Sequence, residues 1–318
     1  MWNKPWGYKE GFAINAGLIL VGLLLQLTIG QANLDLLAFP VNVIALIIFL
    51  LGLIIMQMIS KKVYLFRMMS AIQFALPSLA SVSILIMVMG ILPQLPSDVK
   101  VLGITGKFGF SQMLSAWYFV MSFLWLIIIL GMIILKRISR FNIKKDIPFV
   151  LNHLGLFIAL LSGVLGAPDL QRLKLTASIG KPEWSALNSR QKMVALPFAI
   201  VLHHFTIDEY PPRAIVNKKT GEVTSVRDPR RYASDVTVYT KSKKIINGII
   251  EVNKPLKIEG WKIYQMGYDK NRGKWSNISI FELVRDPWLP AVYTGVIMMI
   301  AGAVSMFVFT LKRKEEHV

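Results

Sequence analysis

Long apolar runs separated by short polar segments predict helices that cross a membrane. A bilayer core about 30 Å thick requires roughly 20 mostly apolar residues in a helix. Six runs reach that length, and none of them contains Asp, Glu, Lys or Arg. The first run is longer than the roughly 7 to 15 residues of a signal-peptide core, so we expect it to be retained. The six predicted spans are residues 11–30, 41–60, 69–92, 113–135, 147–166 and 289–311.

Between the fifth and sixth runs the pattern changes to short β-rich stretches bounded by Gly, Pro, Asn and Asp. Residues 167–288 are therefore expected to form a mostly β domain, which we interpret as a two-layer antiparallel sandwich. The stretch "RAIVNKKTGEVTSV" predicts a hairpin that turns through Lys219, Thr220 and Gly221. Further strands are predicted in "ASDVTVYTK", "KIINGIIEVN", "GWKIYQMGYD" and "WSNISIFEL".

Composition and charge assign the chain to a membrane and orient it there. Hydrophobic residues make up 54% of 318 and the mean hydropathy is +0.53, which is typical of an integral membrane protein. The net charge is +18, but the basic residues cluster beside the spans, so nucleic acid is not an expected partner. Cytoplasmic segments carry the positive charge. This rule predicts that both termini are cytoplasmic and that residues 167–288 lie outside the plasma (inner) membrane. The marker residues are Lys61, Lys62, Arg67, Lys136, Arg137, Arg140, Lys144, Lys145, Lys312, Arg313 and Lys314.

Few residues outside the spans offer catalytic chemistry. The chain has no cysteine, which excludes disulfides and thiolate metal sites. It also has no Gly-rich phosphate loop, GxSxG or HExxH motif, so no catalytic residue is assigned. His317 lies in the charged tail and is expected to be solvated. His203 and His204 are adjacent in a strand-like run, so they point to opposite faces and cannot easily share one metal. A structural histidine is the simpler interpretation of each, and a ligand or acid–base role is the alternative.

One histidine differs from the others because it lies inside a predicted span. If span five begins near Pro148, His153 sits roughly 8 Å along the helix, in the hydrocarbon or at its inner edge. Ionisable groups at this depth are costly and are functional candidates by default. The alternative is a helix-end histidine bound to a carbonyl or a lipid head group. The small-residue face of this helix, suited to helix packing, contains Gly155, Ala159, Ser162, Gly163 and Gly166, and the opposite face contains His153, Phe157, Leu160 and Val164.

A single imidazole among apolar side chains suits heme b better than a bare metal ion. Imidazole is a common axial ligand of heme iron, whereas zinc or non-heme iron needs three or four protein ligands. His153 is therefore the expected iron ligand, with Phe157 beside it. Trp117 in span four is a further heme-contacting candidate, or simply part of the bundle. A second histidine ligand would come from another chain. The basic residues before span five could meet the heme propionates, but as topology determinants they need no such role.

Several segments in order resemble the ResB (CcsB) family of system II cytochrome c maturation. They are "MLSAWYFVMSFLWLIIILGMIILKR", "LNHLGLFIALLSGVLGA", "IEVNKPLKIEGWKIYQMGYD", "VRDPW" and "VYTGVIMMIAG". The resemblance implies a membrane subunit that pairs with a CcsA (ResC) type subunit and carries heme outward for attachment to apocytochrome c. It also implies that His153 is the transmembrane heme ligand. The chain would then be part of a cytochrome c heme lyase complex without being catalytic alone.

Two features depart from the family pattern. An added helical pair precedes the three usual helices, and a pair preserves their orientation. No Trp-rich WWD-like loop occurs, so a partner is expected to complete the ligation. The expected segments are the helix pair at 1–66, spans three to five at 67–166, the outer domain at 167–288, and the last helix and cytoplasmic tail at 289–318.

Two other functions stay open at this point. The chain could be a membrane-anchored extracytoplasmic scaffold or binding protein that carries no heme. It could also transport another solute, although spans without Asp, Glu, Lys or Arg disfavour proton coupling.

Overall fold

A computed structural model of the chain describes residues 2–96, 99, 101–216, 223–226 and 228–315. The chain forms two compact units, one helical and one made of β-strands. The helical unit combines residues Met1–Pro168 with Trp288–Val318, and the β unit is Asp169–Pro287. The single β unit is thus inserted between the last two long helices of the chain.

Six helices are long and apolar enough to cross a membrane, as the apolar runs predict. Two short helices, α3 and α5, lie between them. The helix of the fifth span begins at Ile143, so the predicted helix start near Pro148 is wrong. The helices are α1 Tyr8–Ile29, α2 Val41–Ile59, α3 Tyr64–Met69, α4 Ile72–Ile91, α5 Ile104–Lys107, α6 Trp117–Ile138, α7 Ile143–Gly166 and α8 Leu289–Glu315.

Glycines bring α7 and α8 into close contact. A Cβ atom added to Gly155 would lie 2.6 Å from the carbonyl oxygen of Gly295, and one added to Gly295 would lie 2.5 Å from that of Gly155. Since real Cβ atoms do not approach backbone oxygens so closely, only glycine permits this packing distance. A Cβ on Gly166 would likewise meet Trp288 at 2.4 Å. Gly163 is an exception within the predicted small-residue face, because it is exposed and has no neighbour within 4 Å.

The first two helices pack into the same helical unit. In α1, a Cβ atom on Gly11 would lie 2.3 Å from the carbonyl oxygen of Gln73 in α4. In α2, the buried Asn42 donates a hydrogen bond of 2.9 Å from its Nδ2 to the carbonyl oxygen of Leu165 near the end of α7. A buried amide needs such a partner in an apolar surrounding. The helix pair is therefore joined to α4 and α7 by specific contacts.

The β unit contains one antiparallel sheet of eight strands, so the prediction of a two-layer sandwich is wrong. The strand order is β7-β6-β3-β2-β1-β10-β9-β8. At the two ends of this order, Gly248 of β7 packs against Leu256 of β8, where an added Cβ would lie 2.9 Å from a Leu256 methyl carbon. The sheet therefore curls until its outer strands nearly meet. The strands are β1 Gln171–Ser178, β2 Pro182–Leu187, β3 Met193–Glu209, β4 Arg213–Val216, β5 Val223–Val226, β6 Pro229–Thr240, β7 Ile245–Glu251, β8 Leu256–Ile258, β9 Trp261–Tyr268 and β10 Ile278–Arg285.

Strand pairing confirms most of the local β predictions. β4 and β5 pair antiparallel, as the hairpin prediction requires, but its turn at Lys219, Thr220 and Gly221 lies outside the described residues. The pairing of β3 with β6 shifts register between Leu202 and His204, and that of β10 with β9 shifts between Ile280 and Phe281. Such bulges bend strands and increase twist, which is how a flat sheet becomes a curled one.

A polar network lies inside the curled sheet. The buried Ser234 hydroxyl lies 2.7 Å from both Gln265 Oε1 and Ser279 Oγ, and Gln265 Nε2 donates to the carbonyl oxygen of Gly267 at 2.8 Å. These bonds join β6, β9 and β10 within an otherwise apolar core. Gln265 belongs to the "KIYQ" stretch, and its role is therefore structural, because buried polar groups cost stability unless they are bonded.

Candidate functional site

The imidazole of His153 projects from the side of α7 that does not contact α8. Asn152, Gly155 and Ala159 pack against α8. At 100° per residue, His153 lies between about 100° and 160° around the helix axis from these three residues. Its side chain is partly exposed at the surface of the helical unit. The histidine is thus left available to something outside this helix pair, as the two-faced helix predicts.

A backbone hydrogen bond fixes the tautomer of His153. Its Nδ1 lies 2.9 Å from the carbonyl oxygen of Phe149, one turn earlier in α7. A carbonyl oxygen can only accept, so Nδ1 carries the proton and the neutral ring has its lone pair on Nε2. Within the described part of the chain, no group forms a hydrogen bond with Nε2. This is the arrangement in which a backbone acceptor orients an imidazole whose other nitrogen binds a metal.

Stacked side chains connect this imidazole to the loop between α6 and α7. The rings of Phe149 and His153 stack with centroids 3.8 Å apart, and the Arg137 guanidinium lies 5.2 Å from the Phe149 centroid. Arg137 also forms an ion pair of 2.5 Å with the buried Asp146. Asp146 in turn accepts a hydrogen bond of 2.8 Å from the backbone N–H of Asn142. The orientation of His153 is therefore supported by a continuous set of contacts.

A cavity of about 410 Å³ lies at this end of the helical unit. Its wall contains four cationic side chains and one carboxylate, so the net charge of the wall is four minus one, or +3. Phe149 lines the same cavity, so a single aromatic ring separates it from His153. The charged residues of the wall are Lys136, Arg137, Arg140, Lys145 and Asp146.

The structure places the predicted neighbour Phe157 inside the bundle. Its side chain is 7% exposed and stacks on Phe49 of α2, with ring centroids 6.4 Å apart. A Cβ on Gly131 of α6 would lie 3.2 Å from the same ring. Phe157 is therefore packed against α2 and α6. A direct contact between Phe157 and heme stays a prediction.

Trp117 and His153 lie at different depths. The ion pair between Arg137 and Asp146 places these two residues at one level. At about 1.5 Å per residue, Trp117 is then about 30 Å along α6 and His153 about 10 Å along α7. A group bound to His153 would have to extend about 20 Å along the bundle to reach Trp117. The buried Trp117 Nε1 has no hydrogen-bond partner among the described residues, and its contact with heme also stays a prediction.

His203, one of the two adjacent histidines of β3, is hydrogen-bonded within the β unit. His203 Nε2 lies 2.7 Å from Thr237 Oγ1, whose hydroxyl donates to Asn247 Oδ1 at 2.7 Å. The hydroxyl proton is used in that second bond, so His203 is the donor to Thr237. This bonding favours a structural role for His203. Across the described ranges, no three His, Asp or Glu side chains form a group able to hold a metal ion.

The donor set around His153 fits a porphyrin iron. Iron in heme already has four ring nitrogens, so one protein imidazole supplies an axial position where a bare ion would need more ligands. The Nε2 atom, whose lone pair is not used in a hydrogen bond, is the atom that would bind the iron. Sequence reasoning predicted His153 but missed Phe149, which both accepts the Nδ1–H bond and stacks on the ring. Its aromatic character four residues before the histidine was the available signal.

Together these observations define a class: a multi-pass membrane protein with a β domain inserted before its last membrane helix and one available imidazole at the bundle surface. Comparison with known proteins agrees. Residues 146–280, which comprise most of α7 and most of the β unit, match the model of the ResB-like family. The match confirms the predicted resemblance to this family over these residues.

Other comparisons add little. No curated protein gives a significant match to the sequence. One solved structure, a cytochrome c heme lyase CcmF, has a TM-score of 0.34 and 12% identity, and the aligned region covers 74% of this chain and 40% of that chain. This likeness is too low to carry an argument about the fold or the site.

Proposed function

We propose that the chain is a membrane subunit of system II cytochrome c maturation that binds heme b and delivers it across the membrane, together with a CcsA (ResC) type partner, for attachment to apocytochrome c. The observation that carries this proposal is the state of His153. Its Nδ1–H is held by the Phe149 carbonyl, and its Nε2 has no partner among the described residues. The family match and the six apolar helices support the same function.

Heme is the cargo in this proposal, and the chain's own contribution is to bind and orient it. His153 would supply one axial ligand from the exposed surface of the bundle. The partner subunit would supply the second histidine, because the other histidines among the described residues, His203 and His204, lie in β3 of the β unit. An axial site shared between two chains would let heme pass from one subunit to the other without release into the lipid.

The predicted orientation gives this transfer a direction. By the positive-inside rule, the basic loop between α6 and α7 is cytoplasmic. His153 is then about 10 Å from the level of Asp146, on the cytoplasmic half of the bundle. Heme would enter near this loop and leave toward the β unit, which the same rule places outside.

Heme content of the purified complex tests the proposal. We expect the wild-type chain, purified with its CcsA-type partner, to contain heme, and His153→Ala to lower the heme per complex at least about tenfold, since a direct ligand is lost. His203→Ala is the matched control, because His203 Nε2 already bonds Thr237. A heme-free wild-type complex, or equal heme in both variants, would favour the scaffold without heme instead.

A further inference from the structure

The cavity between α6 and α7 has more positive charge than the chain itself neutralises. Asp146 pairs with Arg137 at 2.5 Å, and Lys136 Nζ donates to the carbonyl oxygen of Ser70 at 3.3 Å. Arg140 and Lys145 have no ion-pair or hydrogen-bond partner among the described side chains. The one carboxylate of the wall, Asp146, forms its ion pair with Arg137, so one negative charge faces four positive ones, and this excess indicates a site for an anionic group.

One aromatic ring, that of Phe149, lies between the cavity and His153. Phe149 forms part of its wall and stacks on the imidazole at 3.8 Å. Arg140 and Lys145 belong to the ends of α6 and α7 and their connection, where the helices leave the apolar layer. A ligand that reached both the imidazole and the cavity would need a flat apolar body with anionic groups at one edge.

Heme has this form, since two propionate carboxylates project from one edge of an apolar ring. On the basis of the proposed function, we propose that Arg140 and Lys145 bind the propionates of the heme ligated by His153. The two carboxylates would match the two unpaired cations in number. They would also orient the ring, with its charged edge toward the loop and its apolar body along α7.

An anionic lipid head group has similar chemistry, and one observation favours the porphyrin over it. The Arg137 and Asp146 ion pair, the Phe149 ring and the His153 imidazole form one contact series that ends at a nitrogen lone pair. A lipid would use the cations and leave that nitrogen unused. A heme would use both the cations, through its propionates, and the His153 nitrogen, through its iron.

Two porphyrins separate carboxylate recognition from iron ligation. Hemin and hemin dimethyl ester share the iron and the ring, but the ester lacks both carboxylate charges. We expect the wild-type chain with its partner, in nanodiscs of zwitterionic lipid, to bind hemin on the order of tenfold more tightly than the ester, as two partly exposed ion pairs permit. The double variant Arg140→Gln/Lys145→Gln should bind both porphyrins equally, with the affinity that the wild type has for the ester.

The control variant Lys61→Gln/Lys62→Gln removes the same charge from another exposed loop and should keep the wild-type preference. An unchanged preference for hemin in the double variant would overturn the inference, and so would a parallel loss of both porphyrins. Loss, in the double variant, of anionic lipid that copurifies with the wild-type complex, with unchanged hemin affinity, would assign the cavity to a lipid head group. If the propionate inference fails in any of these ways but His153→Ala still abolishes hemin binding, the proposed heme-binding function is supported without it. A wild-type complex that binds neither porphyrin overturns both.

Discussion

At the residue scale, single hydrogen bonds decide which groups can react. Two histidines of this chain each have one ring nitrogen engaged, but with different consequences. The proton of His153 lies on Nδ1 because the Phe149 carbonyl accepts it, which leaves the lone pair on Nε2. In His203 the proton lies on Nε2, where Thr237 accepts it. The tautomer, which no sequence pattern encodes, therefore distinguishes the candidate ligand from the structural residue.

A charged cluster in the β unit gives a prediction about acid. Arg231 donates to the carboxylate of Glu251, and Lys254 lies 3.2 Å from it, so these hydrogen bonds lower the Glu251 pKa to about 2. A carboxylate with a lowered pKa stabilises the fold fully above its ordinary pKa of 4.5, and the stabilisation is lost as pH falls toward 2. We expect Glu251→Gln to weaken the protection of β6 and β7 amides from hydrogen exchange at pH 6.

The difference between wild type and Glu251→Gln should shrink as the pH falls from 4.5 toward 2, because the unfolded carboxylate is protonated near its ordinary pKa of 4.5 and the folded one only near 2. Hydrogen exchange of the full chain, corrected for the intrinsic rate at each pH, measures it. Peptides from β1 serve as an internal control, since Glu251 lies in β7. A difference that persists unchanged at pH 2 would contradict the assignment of the stabilisation to the ionised carboxylate.

At the element scale, the close approach of α7 and α8 is the most demanding contact. Gly155 and Gly295 face each other. A Cβ atom added to either glycine would lie 2.5–2.6 Å from the carbonyl oxygen of the other. The backbone cannot move aside as a flexible side chain could. This contact fixes the rotation of α7 about its axis and therefore the direction in which His153 points. The helix pair thus connects packing to the geometry of the site.

Alanine at Gly155 should separate the two helices. The added Cβ would lie 2.6 Å from the Gly295 oxygen, and overpacking of this kind costs about 1–3 kcal/mol of unfolding free energy. We expect a lower thermal unfolding midpoint for Gly155→Ala in detergent. Gly163→Ala is the matched control, since Gly163 lies in the same helix with no neighbour within 4 Å. Equal effects of the two substitutions would contradict this account of the contact.

The sequence predicted these elements unevenly, for physical reasons. Apolar runs determine membrane helices locally, so all six were found. The start of α7 was missed because Asp146 is polar, although it pairs with Arg137 and accepts the Asn142 N–H at the first turn. Periodicity grouped Gly163 with Gly155, but only packing shows which glycine meets a neighbour. The curled sheet was missed because pairings such as Gln171 with Arg285 join residues far apart in the chain.

At the scale of the whole molecule, the chain is a membrane bundle that carries a β unit and offers one imidazole at its surface. The helix pair that precedes the usual three helices of the family resemblance is part of the bundle, since Asn42 bonds Leu165 and Phe49 stacks on Phe157. It therefore contacts α7 at Phe157, one turn along the helix from His153. The proposed role in heme delivery depends on what that surface meets in the partner.

The most direct test of the central claim replaces the His153 ring and then returns it as a free ligand. The wild-type complex with its CcsA-type partner should show the optical spectrum of low-spin heme with two axial nitrogens. His153→Gly should lose that spectrum, and added imidazole should restore it by occupying the vacated position. A low-spin spectrum that persists in His153→Gly without imidazole would contradict the claim that His153 ligates the iron.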